Sequence, residues 1–303
     1  MSRHEAFSLD FLEPAPPPPA PGPVFTYSSP EQSLLRRSLI RLVERLSGRA
    51  RFERIYESWR RGQRDVGAHI FTEAVRALGI RSDVSPGDMA QIPARGPLLV
   101  LANHPYGILD GLLIGHLVAT RRRDIKLVCH ARLCQPPEAR GSVLPVDFRD
   151  EPEARRISAD TRRQAVEWLD QGHVVIIFPA GGVATSVSPW KGAAADLAWH
   201  PFILRLARRP GVRVLTMFVH GQNSRLFQWV SHFSYPLRVA LIFRETTRAL
   251  RRPVRVSIAP PVALAEMEAA DRLMALRERC FGMAGEGGAE AAEVFDFPAR
   301  IRF

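Results

Sequence analysis

The sequence predicts an α/β layered domain preceded by an N-terminal helical motif. Short apolar segments recur from Leu98 to Ile258, those from Ile125 onward β-branched and bounded by Gly, Pro or charge, and they alternate with helical stretches. Two of those segments run straight into Pro/Gly turns, at Asn103–Gly111 and at Phe178–Gly182. No internal repeat is visible. A chain of 303 residues, 46% of them hydrophobic, can bury a sizeable core.

In chain order, residues 1–30 hold the run Pro14–Pro23, whose proline density excludes a helix or a ladder and predicts an extended flexible arm. Residues 31–92 read as amphipathic helices. Leu35, Leu39, Leu42 and Leu46 repeat at spacings of four and three and make one apolar face, with Arg36, Arg37, Arg41 and Arg45 on its flanks. After Ser47-Gly48 a second helix runs from about Arg51 to Arg61, with Phe52, Ile55, Tyr56 and Trp59 on one side. We read the leucine face as packed on the domain and the arginines as turned toward an anionic membrane; the pair lying together on that membrane is the alternative. A third helix is expected from Gly67 to Leu78, with Ile70, Phe71, Ala74, Val75 and Leu78 inward.

Residues 93–282 form the expected core. Its strands are Leu98–Ala102, Ile125–Cys129, Val143–Phe148, Val174–Phe178, Val212–Val219 and Val254–Ile258. Helices are expected near Leu112–Arg121, Glu153–Gln171, Ala193–Arg208 and Leu237–Leu250. The glycine-rich run Ala284–Glu290 predicts a flexible C-terminal tail over 283–303.

The formal net charge is +11 with a pI near 10.7, and Lys126 and Lys191 are the only lysines. This favours a polyanionic neighbour, either a membrane surface or nucleic acid, without choosing between them. Nucleic acid rests on charge alone and is not expected as a partner. Cys129, Cys134 and Cys280 lack paired spacing, which fits a reducing compartment and argues against a disulfide framework or a zinc site. Neither a signal peptide nor an apolar run of ~18 residues is present, so any membrane contact is expected to be peripheral, at the cytoplasmic face.

Chemistry is expected where strands end. His104 and Asp110 flank a turn marked by Pro105 and Gly107. Six positions along a continuous helix is about 240° of rotation, which would keep them apart, whereas a turn can fold the carboxylate back to the ring. A carboxylate on one imidazole nitrogen fixes the tautomer and leaves the other as general base. A helix-starting Asp110 beside a structural histidine is the other reading. At Phe178-Pro179-Ala180-Gly181-Gly182 a second strand opens into a turn whose amides can face an anion or carbonyl. No Gly-Lys-Ser/Thr follows it and no Gly-x-Ser-x-Gly elbow occurs, so a phosphate-binding loop and a serine esterase are both excluded. Asp110 and His116 do not share a helical face, and no metal is expected. His220 and Asn223 end a strand, either lining the site or satisfying the turn.

Together, in this order, these motifs resemble the lysophospholipid acyltransferase superfamily, which includes glycerol-3-phosphate and 1-acylglycerol-3-phosphate acyltransferases. Asn103, His104 and Asp110 resemble its first motif, and Phe178, Pro179 and Gly181 its third. Val212–Val219 with Gly221-Gln222-Asn223-Ser224 is similar to the fourth, and Val254–Val262 to the last strand. Five residues instead of four separate His104 from Asp110, and Ala180 stands where glycerophosphate-specific members carry glutamate. Both features, with Ser47-Gly48-Arg49, resemble a hemolysin-like acyltransferase branch, although Gly182 stands where that branch commonly has glutamate. Gly141–Asp147 matches the second motif loosely, with Arg149 just beyond it.

The resemblance implies a mixed, largely parallel central sheet flanked by helices. It implies an O-acyltransferase that moves a fatty acyl group from acyl-CoA or acyl-carrier protein, as co-substrate, to a lysolipid hydroxyl, with no cofactor. His104 is the expected base and Asp110 its orienting partner. Backbone amides near Gly107 or Gly181 are expected to receive the oxyanion. Asn103, Phe178, Pro179, Gly182, Arg149 and Asn223 are expected to build the binding site, with Lys191 either on the donor's phosphates or at the surface. Some proteins of this kind acylate lyso-forms of amino-acid lipids. A non-catalytic lipid-binding protein on the same fold is the competing class, and the longer His–Asp spacing is its best support.

Overall fold

The computed structural model describes residues 33–62, 65, 67–134, 136–147 and 151–287. The proline-rich arm over 1–30, Phe148, Arg149 and the chain beyond 287 lie outside the described residues. Helices α1 (Leu34–Leu46), α2 (Arg49–Arg61) and α3 (Ile70–Leu78) come first, followed by strand β1 (Ser82–Asp83) and the short α4 (Pro86–Ala90). The core then runs β2 (Leu98–Ala102), α5 (Ile108–Ala119), β3 (Ile125–His130), β4 (Val143–Val146), α6 (Pro152–Asp170) and β5 (Val174–Ile177). A small hairpin, β6 (Thr185–Ser186) with β7 (Ala194–Ala195), precedes α7 (Phe202–Ala207) and β8 (Arg213–Val219). The chain continues through α8 (Arg225–Ser231), α9 (Tyr235–Ala249), β9 (Val254–Ile258), β10 (Val262–Ala263) and α10 (Arg272–Phe281).

The strands order as β1-β9-β8-β2-β5-β3-β4, with β10 also pairing β8. Neighbours from β8 to β4 are parallel, and β8–β9 and β8–β10 are antiparallel. The sheet is therefore mixed and largely parallel, flanked by helices on both faces. β2 sits at its middle and is wholly buried, with Leu98–Leu101 opposite Val174–Ile177 on one side and Leu98–Ala102 opposite Arg213–Met217 on the other.

Strand alternation sorts the core. Leu98, Val100 and Ala102 join Ile176, Met217, Leu109 and Leu113 beneath α3 and α5, whereas Leu99 and Leu101 join Val175, Ile203, Leu206 and Leu276 beneath α6, α7 and α10. Each such side chain contributes roughly 1.5–3 kcal/mol by burial. α5 is apolar nearly all round because it lies between sheet and helices. A Cβ on its Gly115 would stand 2.5 Å from the Phe71 ring, so only glycine lets α3 and α5 approach this closely.

Three expectations are corrected. The leucine face of α1 does not pack on the domain: Leu35, Leu42 and Leu46 are 87%, 54% and 78% exposed, and the Leu39 side chain lies outside the described residues. The covered residues are Ile40 and Glu44, with Val43 packed at the cluster that includes α9 residues Val239 and Ile242. Periodicity identified a stripe, not what covers it. The helix expected from Ala193 is only Phe202–Ala207, because Pro201 disfavours helix before it and Ala194–Ala195 pair with β6. α5 begins at Ile108 rather than Leu112, because Gly107 and Asp110 cap it there. α8 and α10 fall outside the helices expected from sequence.

Candidate active site

The turn after β2 brings the carboxylate back to the ring. Gly107 adopts φ 91°, ψ −118°, a conformation open essentially to glycine alone, and this bend separates His104 from α5. Asp110, fully buried in the first turn of α5, folds back over it. Its Oδ2 accepts the N–H groups of Tyr106 (2.8 Å) and Gly107 (2.9 Å) and lies 2.9 Å from His104 Nδ1. His104 is also fixed through its backbone: its N–H donates to Asp196 Oδ1 (3.2 Å), and its carbonyl accepts from the Ala184 N–H (2.7 Å).

The turn after β5 forms the opposite wall. The Phe178 ring stacks on the His104 ring at 4.1 Å between centroids and 22° between planes. Gly181 N–H donates to the Phe178 carbonyl (3.0 Å), and the Pro179 carbonyl accepts from His200 N–H (3.0 Å). Ala180 is buried in the apolar cluster that holds Trp199. The amides of Gly107 and Gly181, expected to receive an oxyanion, are both committed within their own turns. Gly182 N–H and the helix-starting Ile108 N–H have no partner among the described residues, and both residues line the cavity described next.

From His104 a cavity of about 600 Å³ extends between the sheet and α2, α3 and α9, within the ~300–1,000 Å³ typical of ligand pockets. Gly107, Phe178, Pro179, Gly181 and Gly182 line its head, and Ile55, Trp59, Ala74, Leu112, Leu127 and Ile242 are among the apolar residues along it. The aromatic face expected for α2 thus lines this space. α2 is tied down across it: Tyr56 O–H donates to Glu138 Oε2 (2.8 Å), and Arg60 Nε lies 3.0 Å from Glu138 Oε1. Arg238, fully buried on α9, borders the same cavity and donates to Thr185 Oγ1 (2.7 Å) and to the Val183 carbonyl. Burial lowers its pKa to about 10, which leaves it a cation.

The remaining expected residues are elsewhere. Asn103 is buried and turned away from the cavity: its Nδ2 donates to the Val219 carbonyl (3.0 Å) and its Oδ1 accepts the Val219 N–H (2.7 Å). Asn223 is buried at the start of α8 and does not line the cavity, and Lys191 is exposed and outside the lining. Arg149 lies outside the described residues. His220 Nε2 is 2.8 Å from Ser257 Oγ, and burial lowers its pKa. His116 Nδ1 is 3.1 Å from Thr72 Oγ1, and among the described residues no group of three His, Cys, Asp or Glu is arranged for a metal.

Sequence reasoning missed Asp196 and Arg238. Asp196 is fully buried, holds the His104 N–H and the Trp199 indole N–H (3.2 Å), and has a pKa pushed up to about 6, chiefly by desolvation. No local pattern marks a carboxylate so far along the chain. Tyr106, whose O–H donates to the His220 carbonyl (3.3 Å), has its pKa raised, mainly by burial and then by Asp110.

The family model described as acyltransferase matches residues 49–279, and the chain belongs to that acyltransferase family. It is an acyltransferase. Among solved structures it is similar to the 1-acyl-sn-glycerophosphate (LPA) acyltransferase PlsC from Thermotoga maritima, at 17% identity and a TM-score of 0.44, covering 83% of this chain and 81% of that one. Among curated proteins no sequence matches it. No helix of the described residues is long and apolar enough to cross a membrane.

Proposed function

We propose that this acyltransferase moves a fatty acyl group from acyl-CoA or acyl-carrier protein to the hydroxyl of a lysolipid, with His104 as general base. The observation that carries the reading is His104 itself: Asp110 lies at 2.9 Å from one ring nitrogen, and the ring heads an apolar cavity of about 600 Å³. Asp110 Oδ2 lies 2.9 Å from Nδ1, so Nε2 is the ring nitrogen left to take the proton of the acceptor hydroxyl as its oxygen attacks the thioester carbonyl. The tetrahedral intermediate then collapses, the C–S bond breaks, and the imidazolium returns the proton to the leaving thiolate. Gly182 N–H and Ile108 N–H are the donors we assign to the oxyanion. A single such donor typically contributes about 3–4 kcal/mol to the transition state.

The acceptor we favour is a lysolipid whose headgroup needs no carboxylate at position 180, whether a lysophospholipid or a lyso-amino-acid lipid, in keeping with the hemolysin-like branch. Ala180 in its apolar surroundings supports this choice. We place the enzyme peripherally at the cytoplasmic face of a membrane, a placement supported by the outward leucines of α1 beside the exposed Arg41 and Arg45. The non-catalytic alternative drew on the longer His–Asp spacing; the 2.9 Å approach of Asp110 to His104 supports the catalytic reading instead.

The test is transfer of labelled acyl groups from acyl-CoA and from acyl-carrier protein to a panel of lysolipids. His104→Ala should lose about 10²–10⁴-fold in rate with an unchanged circular dichroism spectrum. Full activity in that variant would overturn the mechanism.

A further inference from the structure

A second apolar surface lies apart from α1. Trp190 is 73% exposed, Phe233 58%, Leu226 43% and Trp229 40%. The three rings form one cluster: those of Trp190 and Trp229 are 6.3 Å apart and those of Trp229 and Phe233 4.9 Å apart, with Trp229 on α8, Phe233 in the turn after it, and Leu226 one helical turn before Trp229. Large aromatics exposed together are costly in water and mark an interaction site. Trp and Phe also suit the bilayer interface, where a ring can be half immersed.

The charge around them selects the partner. Between Gln171 and Arg244 the only acidic residue is Asp196, which is fully buried. Lys191 and Arg225, next to Trp190 and Leu226 in the chain, are both exposed. The patch is therefore apolar, carries a basic neighbour in the chain at Trp190 and at Leu226, and lies in a stretch of sequence free of exposed carboxylates.

It is also joined to the catalytic turn. Ser186 N–H donates to Gln228 Oε1 (2.8 Å), and His232 Nε2 lies 2.9 Å from the Ser186 carbonyl, so α8 is bonded to β6. Just before β6, Ala184 is bonded to His104. Two residues beyond Phe233, Tyr235 starts α9 and lines the cavity with Arg238 and Ile242.

We propose that Trp190, Leu226, Trp229 and Phe233 form a wedge that enters the interface of an anionic lipid bilayer, with Lys191 and Arg225 on the headgroups. The wedge holds the cavity against the membrane that carries the acceptor. Its purpose rests on the lipid-acceptor reading above, but its test does not require turnover, so failure of one is distinguishable from failure of the other.

The experiment measures partition of the full chain onto vesicles of equal parts phosphatidylglycerol and phosphatidylcholine, and onto phosphatidylcholine alone. Trp190→Ser/Trp229→Ser/Phe233→Ser should weaken partition by about tenfold or more with an unchanged unfolding midpoint. Lys191→Glu/Arg225→Glu should abolish the preference for anionic vesicles. Trp190→Phe/Trp229→Phe keeps the apolar surface, so it should keep the partition while losing most of the quenching of tryptophan fluorescence by lipids brominated near the headgroup. Two results would overturn the proposal. One is wild-type partition by the serine variant; the other is a wild-type dimer that this variant converts to monomer with vesicle binding unchanged.

Discussion

The turns after β2 and β5 are built on adjacent parallel strands and share a Pro/Gly composition, yet they spend their polar atoms differently. In the first, both backbone groups of His104 and the amides of Tyr106 and Gly107 are held, and Asp110 gathers three contacts on one oxygen. In the second, the Phe178–Gly181 turn closes on itself, and Gly182, which lines the cavity, keeps an amide uncommitted among the described residues. The first turn is organised to hold a ring still. The second presents a wall and leaves a donor for charge that arises only during reaction. Pre-organisation and spare hydrogen-bonding capacity are thus divided between neighbouring strand ends.

That division breaks most sharply at Asp110. Asp110→Asn keeps the shape but replaces by an amide the carboxylate on which two backbone N–H groups and the His104 ring now converge, so transfer should fall by roughly 10²–10⁴-fold. Steady-state rates with labelled donor check this, and a loss of less than threefold would mean that the carboxylate only caps the helix.

The next effect concerns Asp196, which holds the first turn from behind. Its folded-state pKa of about 6 lies above the ordinary value of 3.8, so the folded protein binds the proton more tightly than the unfolded chain. Its contribution to stability is therefore present at low pH and is lost as pH rises from about 4 to 6, by on the order of 2–3 kcal/mol. Urea unfolding of the wild type and Asp196→Asn across this range should show the difference moving in favour of the variant and flattening above pH 7. A constant difference would place the titration elsewhere.

The smallest effect is expected at the bend. Gly107→Ala imposes a side chain at φ 91° and sets its Cβ 3.3 Å from Val183 Cγ2, contacting the segment that follows the second turn. A stability loss of about 1–3 kcal/mol, with a fall in transfer rate at constant pH optimum, would show the two turns to be sterically coupled. Unchanged rates would separate them.

The sequence revealed what is local. His104, Asp110, Phe178 and Gly181 stood out because they lie in turns that follow short apolar runs, where periodicity and turn chemistry act over a few residues. The alternation of strands and helices likewise made the α/β class visible. What escaped depends on distance along the chain. Asp196 reaches His104 across 92 positions, and Arg238 reaches Thr185 across 53. The outward leucines of α1 show the same limit from the other side: spacing defines a stripe, while only the packing of Ile40 and Glu44 decides which stripe turns inward. Asn103, read as part of the site, spends its amide on the strand next door.

That amide has a dynamic consequence. By meeting both the N–H and the carbonyl of Val219, Asn103 behaves as one more peptide unit and extends the pairing of β2 and β8 past the last residue of β2. The residue before the base is thereby part of the cooperative unit at the middle of the sheet and not of a fraying loop. Hydrogen exchange at the Val219 amide should proceed only through openings close to global unfolding. We therefore expect the base to stay in place as substrate enters, and any opening to come from the helices that border the cavity.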